Sequence, residues 1–401
     1  MILSAALALT LGLQLHAANP YAWTATTNEV LYGNLLSFLR TMQSDLVAEP
    51  AYYMTQSLVT ELEAVHKSQP YAWLNQVHNF CNILEGMYPV AMSCPRVGTA
   101  DRFEKIRRDI LLLRDYPMHQ VTLDNDLYIP SQEQKDSFHT ANKQWLQLKR
   151  KEFFDFLNSP RPTGDEIQIV KLYSSGYVLR TKNTCIGIDI CYGEGLYDGD
   201  RKAELVDMLD IIYNTHAHGD HYDIELMRLM LEKGKCVVAP ATMDRHFPGT
   251  YKGTKYMWSE TVEEPVSIGG KNKACAYMAE QGTEPCLIYH IEMDGWRIIH
   301  VGDNSNQPIQ EFFTRYQMAD IVMSPVFQGV VPLLRFTLQA PNPLGTDQFW
   351  FNQHENEWHH TIEGRISYYF TYNEGSSLGA GTFNYPPIFL FDNGEHITLH
   401  K

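Results

Sequence analysis

The 401-residue sequence has no Cys-x-x-Cys pair, no internal repeat of 20–50 residues and no low-complexity tract. Beyond residue 15 it also has no apolar run long enough to form a transmembrane helix. These absences exclude a paired-thiolate metal motif, a solenoid and a polytopic membrane protein. Positive charge is short as well: the formal net charge is -15. That balance argues against a nucleic-acid backbone as the main partner and fits a small-molecule substrate better. With 44% apolar and 20% charged residues, the chain can bury a sizeable core and is neither disordered nor fibrous. Its length suits one large domain or two of medium size.

The seven cysteines (Cys81, Cys94, Cys185, Cys191, Cys236, Cys275 and Cys286) are an odd number, which leaves at least one thiol unpaired within the chain. Most read as small buried apolar residues. Met1 to Leu15 is almost wholly apolar but too short to span a bilayer comfortably. Ala17-Ala18 and then Asn19-Pro20 follow, as in a cleavage region. The expectation is a signal peptide over residues 1–18 and export, to a periplasm or to the outside.

The pattern changes near residue 160. Residues 19–160 carry apolar side chains at three- and four-residue steps, as in Val30-Leu31-Leu35-Leu36-Phe38-Leu39, which predicts an all-helical domain. Tyr and Trp are frequent there, so this domain is a candidate to line an apolar cleft or to form a homo-oligomer. Ser159-Pro160-Arg161-Pro162-Thr163-Gly164 is a cluster of breakers and the expected boundary. From residue 165 to 401 short β-type runs alternate with helical ones. Strands are expected at Ile167–Leu172, Gly176–Thr181, Cys185–Ile190, Cys236–Pro240, Pro285–Glu292 and Trp296–Val301, with helices at Ala203–Asp210 and Ile224–Glu232. Such alternation implies a layered α/β domain.

Three histidines and a carboxylate fall within six residues in Asn214-Thr215-His216-Ala217-His218-Gly219-Asp220-His221, directly after the apolar run Ile211-Ile212-Tyr213. Imidazole with carboxylate suits zinc and similar first-row metals. His216 and His218 are two apart, so in an extended segment they project to one side and can share a metal. Asp220 and His221 follow where the chain turns and can reach a second.

This H-x-H-x-D-H segment resembles the metallo-β-lactamase superfamily. The likeness extends to Ile186-Gly187-Ile188-Asp189, to Trp296–Asp303 with its strand ending in Gly-Asp, to Met318–Pro325, and to Phe351-Asn352-Gln353-His354. It implies an αββα sandwich over residues 165–401, preceded by the helical domain. It also implies two divalent metals, with Asp303 bridging them and His354 as the last ligand; His359 competes for that place. Zinc is the first expectation, and manganese or iron the alternative. One departure is specific. A third histidine for the first metal is due a couple of dozen residues before Asp303, and Tyr277–Thr283 has none. Glu280 is the natural substitute. Asp189 and Asp223 are candidates to hold the unligated ring nitrogens.

The resemblance implies a metal-dependent hydrolase. A bound cation lowers the pKa of water from ~16 towards ~7, so hydroxide is present at neutral pH to attack a lactone, ester or phosphodiester. Asp220 is the candidate catalytic residue, orienting that water. The branch most similar contains ascorbate-6-phosphate lactonase and N-acyl-phosphatidylethanolamine phospholipase D. Two other readings stay open: a degenerate, non-catalytic binding protein on the same fold, and a di-iron redox protein.

Overall fold

A computed structural model describes residues 132–304 (except 192, 194 and 282), 319–325, 349–353, 388–389 and 393–401. The chain divides into two compact units, Met1–Ala141 with Trp358–Thr382, and Asn142–Glu357 with Phe383–Lys401. Nearly all described residues belong to the second. The expected signal peptide and most of the expected helical domain lie outside them. No helix among the described residues is long and apolar enough to cross a membrane.

The first described helix is α1 (Gln132–Asn158), whose residues from Asn142 onward belong to the second unit. Its second half buries Leu146, Phe153, Phe154 and Leu157, a helical stripe. The compact unit of the sheets therefore begins inside α1, upstream of the breaker cluster at 159–164. Arg180 holds the end of this helix. Its guanidinium donates to the carbonyls of Leu157 and Phe156 (3.3 Å) in the last helical turn and of Ser159 (3.0 Å) just beyond it, where helix carbonyls lack intrahelical donors.

Two seven-stranded sheets make up the body of the unit. The first contains β1 (Glu166–Lys171), β2 (Tyr177–Arg180), β3 (Cys185–Ile188), β4 (Ile211–Tyr213), β5 (Cys236–Pro240) and β6 (Thr254–Trp258) in sequence order, with β14 (His396–His400) beside β1. The second runs β13 (Ile388–Phe389), β12 (Phe349–Gln353), β11 (Ile321–Pro325), β10 (Trp296–His300), β9 (Glu284–Met293), β8 (Asn272–Gln281) and β7 (Val262–Ile268). Strands β3 to β6 are parallel to one another, as are β10 to β13. Tyr213 on β4 meets Tyr289 on β9 edge to face at 5.1 Å, and Tyr177 on β2 meets Phe351 on β12 at 6.1 Å, so the sheets pack face to face.

Helices α2 (Asp200–Met208) and α3 (Ile224–Glu232) make the crossovers of the first sheet. Covered by α3 on one side and by the second sheet on the other, β4 and β5 are buried along their whole length, which explains their unbroken apolar sequences. Asp223 caps α3, its Oδ1 accepting from the backbone N–H of Glu225 and Leu226, both at 3.0 Å. The mixed α/β architecture with two facing sheets fits the expected sandwich. β6, β7 and β8 were not legible as strands. β7 carries Glu263, Glu264 and Pro265 on a largely exposed edge, and its pairing with β8 is interrupted between Val262 and Val266.

Candidate metal centre

The loop after β4 is fixed from both sheets. Asn214 donates from its backbone to Val238 O at 2.9 Å, and Leu287 on β9 donates to Thr215 O at 2.8 Å. Tyr289 Oη donates to Asn214 O at 2.7 Å. The loop closes on itself where Asn214 Nδ2 donates to His221 O at 3.0 Å and His221 N donates to His218 O at 3.0 Å. His216, His218, Asp220 and His221 are therefore displayed at the carboxyl end of a central parallel strand, where open α/β sheets commonly bind ligands.

Asp303 arrives from the other sheet. β10 ends at His300, and the chain turns through Gly302 at φ 60°. A Cβ at Gly302 would lie 3.0 Å from Cys286 Sγ and 3.0 Å from both Thr215 Cβ and Oγ1. Only glycine fits this turn on both counts. The turn brings Asp303 Oδ1 to 3.0 Å from His221 Nε2 and Oδ2 to 3.4 Å from His216 Nε2. One ligand atom each from His216, His218 and Asp303 lies within 4.8 Å of the others. Asp220 Oδ2 is 3.7 Å from His221 Nε2, on a side chain still 22% exposed.

Behind the histidines sits Asp189, fully buried and held at φ 46°. Its Oδ1 accepts from Thr215 N at 2.7 Å; its Oδ2 accepts from Thr215 Oγ1 at 2.7 Å and lies 2.8 Å from His221 Nδ1. Because Thr215 Oγ1 donates to Asp189, it is left to accept from His216 Nδ1 at 3.0 Å. Both rings thus direct an Nδ1 proton to this acceptor pair, which leaves Nε2 as the nitrogen facing Asp303, the orientation that suits a metal ligand. His216 Nε2 is buried and makes no hydrogen bond. A divalent cation between these nitrogens and the Asp303 oxygens fits this donor set.

The electrostatics agree. Burial pulls the His221 pKa down, but Asp303 and Asp189 outweigh it and lift it to about 10. Burial and the neighbouring His221 together keep His216 below its ordinary value. Burial pushes Asp189 up, yet contact with His221 brings it below the usual carboxylate range. The two carboxylates therefore supply a field that favours a positive charge here, whether a proton on His221 or a cation that displaces it.

Of the residues expected at the site, the structure brings together His216, His218, Asp220, His221 and Asp303. Glu280 is not brought to them. It is exposed near the end of β8, and its neighbour Gln281 is the one that donates from Nε2 to Asp303 Oδ2, at 2.6 Å. Side chains alternate along a strand, so the two residues face opposite ways. His354 lies outside the described residues; β12 ends one residue before it, at Gln353. Of the two carboxylates considered for holding the histidine rings, Asp189 does so and Asp223 caps α3. Thr215 and Gln281 carried no sequence signal. The described cysteines, Cys185, Cys191, Cys236, Cys275 and Cys286, are all buried.

Residues 168–342 match the family model described as the beta-lactamase superfamily domain. The matched segment begins within β1 and extends past β11, and carries the histidine loop, Gln281 and Asp303. No curated protein matches the chain. Among solved structures it is similar to the metallo-beta-lactamase fold protein YhfI from Bacillus subtilis, at 13% identity and a TM-score of 0.42, covering 59% of this chain and 100% of that one. It is also similar to Igni18, a metallo hydrolase from the archaeon Ignicoccus hospitalis, at 15% identity and a TM-score of 0.42, covering 59% and 99%. A third is CmlA, a diiron beta-hydroxylase from Streptomyces venezuelae, at 13% identity and a TM-score of 0.39, covering 60% and 55%.

Proposed function

We propose that this chain is a metal-dependent hydrolase that cleaves a lactone, ester or phosphodiester bond. The observation that carries the reading is the convergence of two buried ring nitrogens, His216 Nε2 and His221 Nε2, on the two oxygens of Asp303. The match of residues 168–342 to the beta-lactamase superfamily domain supports it. His216, His218 and Asp303 would hold one divalent cation, and Asp220, His221 and Asp303 a second, with His354 as a further ligand of the second. When bound, such cations supply Lewis acidity and make hydroxide accessible at neutral pH.

The chain's own groups do the rest. Asp189 and Thr215 fix the orientation of both imidazoles, so little reorganisation is needed at the moment of reaction. Asp220 is the residue of the loop whose carboxylate is both near His221 and open to solvent. It is placed to accept a hydrogen bond from an entering water and to orient it for attack. The buried walls around His216 and His221 exclude bulk water and strengthen these interactions.

The test has two parts. Protein purified without chelator is analysed for bound metal, and is then assayed on aryl esters, lactones and bis-aryl phosphodiesters. The expected result is bound zinc or manganese, with hydrolysis of at least one class that His218→Ala abolishes. Stoichiometric metal with no hydrolysis of any class would favour a binding protein on the same fold. An iron-dependent visible absorption would favour a di-iron redox protein.

A further inference from the structure

We propose that Gln281 occupies the ligand position of the first cation site, and that its neutral amide makes this site weaker than the one at His221, so the two positions load in sequence. The inference rests on the metal-dependent reading above. Gln281 is the last residue of β8, opposite Glu284 on β9, and lies 22 positions before Asp303. Its Nε2 donates to Asp303 Oδ2 at 2.6 Å, and this is the carboxylate oxygen that faces His216. The amide thus reaches the His216 side of Asp303, while Oδ1 faces His221. Gln281 Oε1 is buried and makes no hydrogen bond, which leaves a buried oxygen donor beside a cluster of metal-binding nitrogens.

Charge and donor type separate the two positions. The first has His216, His218, a share of Asp303 and a neutral amide. The second has His221, a share of Asp303 and the full carboxylate of Asp220, with Asp189 behind the ring. An amide oxygen is a poorer partner for zinc than an imidazole nitrogen and brings no net charge. The second position therefore attracts a divalent cation more strongly.

The experiment strips wild type, Gln281→His and Gln281→Ala with chelator, checks each fold by circular dichroism, and titrates each with zinc by calorimetry against a competing chelator. Wild type is expected to show one tight event and a second at least tenfold weaker. Gln281→His should tighten the weaker event at least tenfold; Gln281→Ala should lose it and keep the tight one. Asp220→Asn should weaken the tight event. Two equal affinities in wild type, or a weaker event unmoved by Gln281→His, would overturn the role of Gln281 and leave the metal-dependent reading standing. No zinc uptake by folded wild type would overturn both.

Discussion

Asp189 Oδ2 lies 2.8 Å from His221 Nδ1, and the same carboxylate oxygen accepts from Thr215 Oγ1. One buried acid thereby sets the tautomer of two histidines, one directly and the other through a hydroxyl. Replacing it by asparagine keeps the shape but removes the charge and offers an N–H where acceptors are needed. Asp189→Asn is expected to weaken metal binding by about 10–100-fold. Chelator competition measures this; an unchanged affinity would show that the carboxylate is dispensable for ligand orientation.

The turn at Gly302 connects a sheet residue to a site residue. Alanine there meets a left-handed backbone and three atoms at 3.0 Å. Gly302→Ala is expected to cost about 2–4 kcal/mol of stability. Asp303 should shift with the turn, so metal occupancy falls as well. Urea unfolding and elemental analysis read the two effects separately, and a variant that keeps full stability and full metal would contradict the steric argument.

What the sequence made legible was the chemistry packed into one contiguous stretch. His216, His218, Asp220 and His221 announce themselves because metal ligands of these types rarely cluster by accident, and Asp303 because it ends a clear strand at a Gly-Asp turn. Glu280 stood out because a carboxylate can ligate zinc, and β8 was not legible as a strand, so the facing of its residues could not be set. A shift of one residue along a strand exchanges its two faces. Only the structure, through the Gln281 to Asp303 bond, sets that phase. Asp189 was half legible: an acid after a strand serves equally as a turn former. α3 and β5 were read to the residue because their apolar patterns are bounded by a capping aspartate and by Pro240. The helical periodicity of α1 does not show which unit it joins; in the structure its second half, Leu146 to Leu157, packs with the unit of the sheets.

That packing depends on Arg180. Its guanidinium is mostly buried and bonds the carbonyls of Phe156, Leu157 and Ser159, and Gln168 Oε1 at 2.7 Å. Arg180→Met keeps the apolar stem and removes every donor. The carbonyls of Leu157 and Ser159 then lose this donor, while Phe156 O keeps its bonds from Ser159, and stability is expected to fall by about 2–3 kcal/mol. Chemical denaturation measures it. Because the residue is remote from the histidine loop, the zinc affinity of the folded variant should stay at the wild-type value.

Asp320 ties the C-terminus to β10 and carries the pH prediction. Its Oδ1 accepts from Arg297 Nη2 at 2.8 Å, and its Oδ2 from Arg297 N and Lys401 Nζ, both at 2.8 Å. Burial alone would raise its pKa, but the bonds from Arg297 and Lys401 outweigh burial and hold it below the usual carboxylate range. A carboxylate with a depressed folded pKa binds fewer protons folded than unfolded. Its stabilisation is therefore complete above the unfolded pKa of about 4 and is lost as pH falls through the folded value. Asp320→Asn should cost about 1–3 kcal/mol at pH 7. The gap between variant and wild type should narrow steadily below about pH 4. Urea titrations of both metal-free proteins from pH 3 to 7 test this, and taking the difference cancels the titration of the site histidines common to both. A gap that stays constant across that range would mean the ionised carboxylate contributes nothing and that the asparagine acts only through packing.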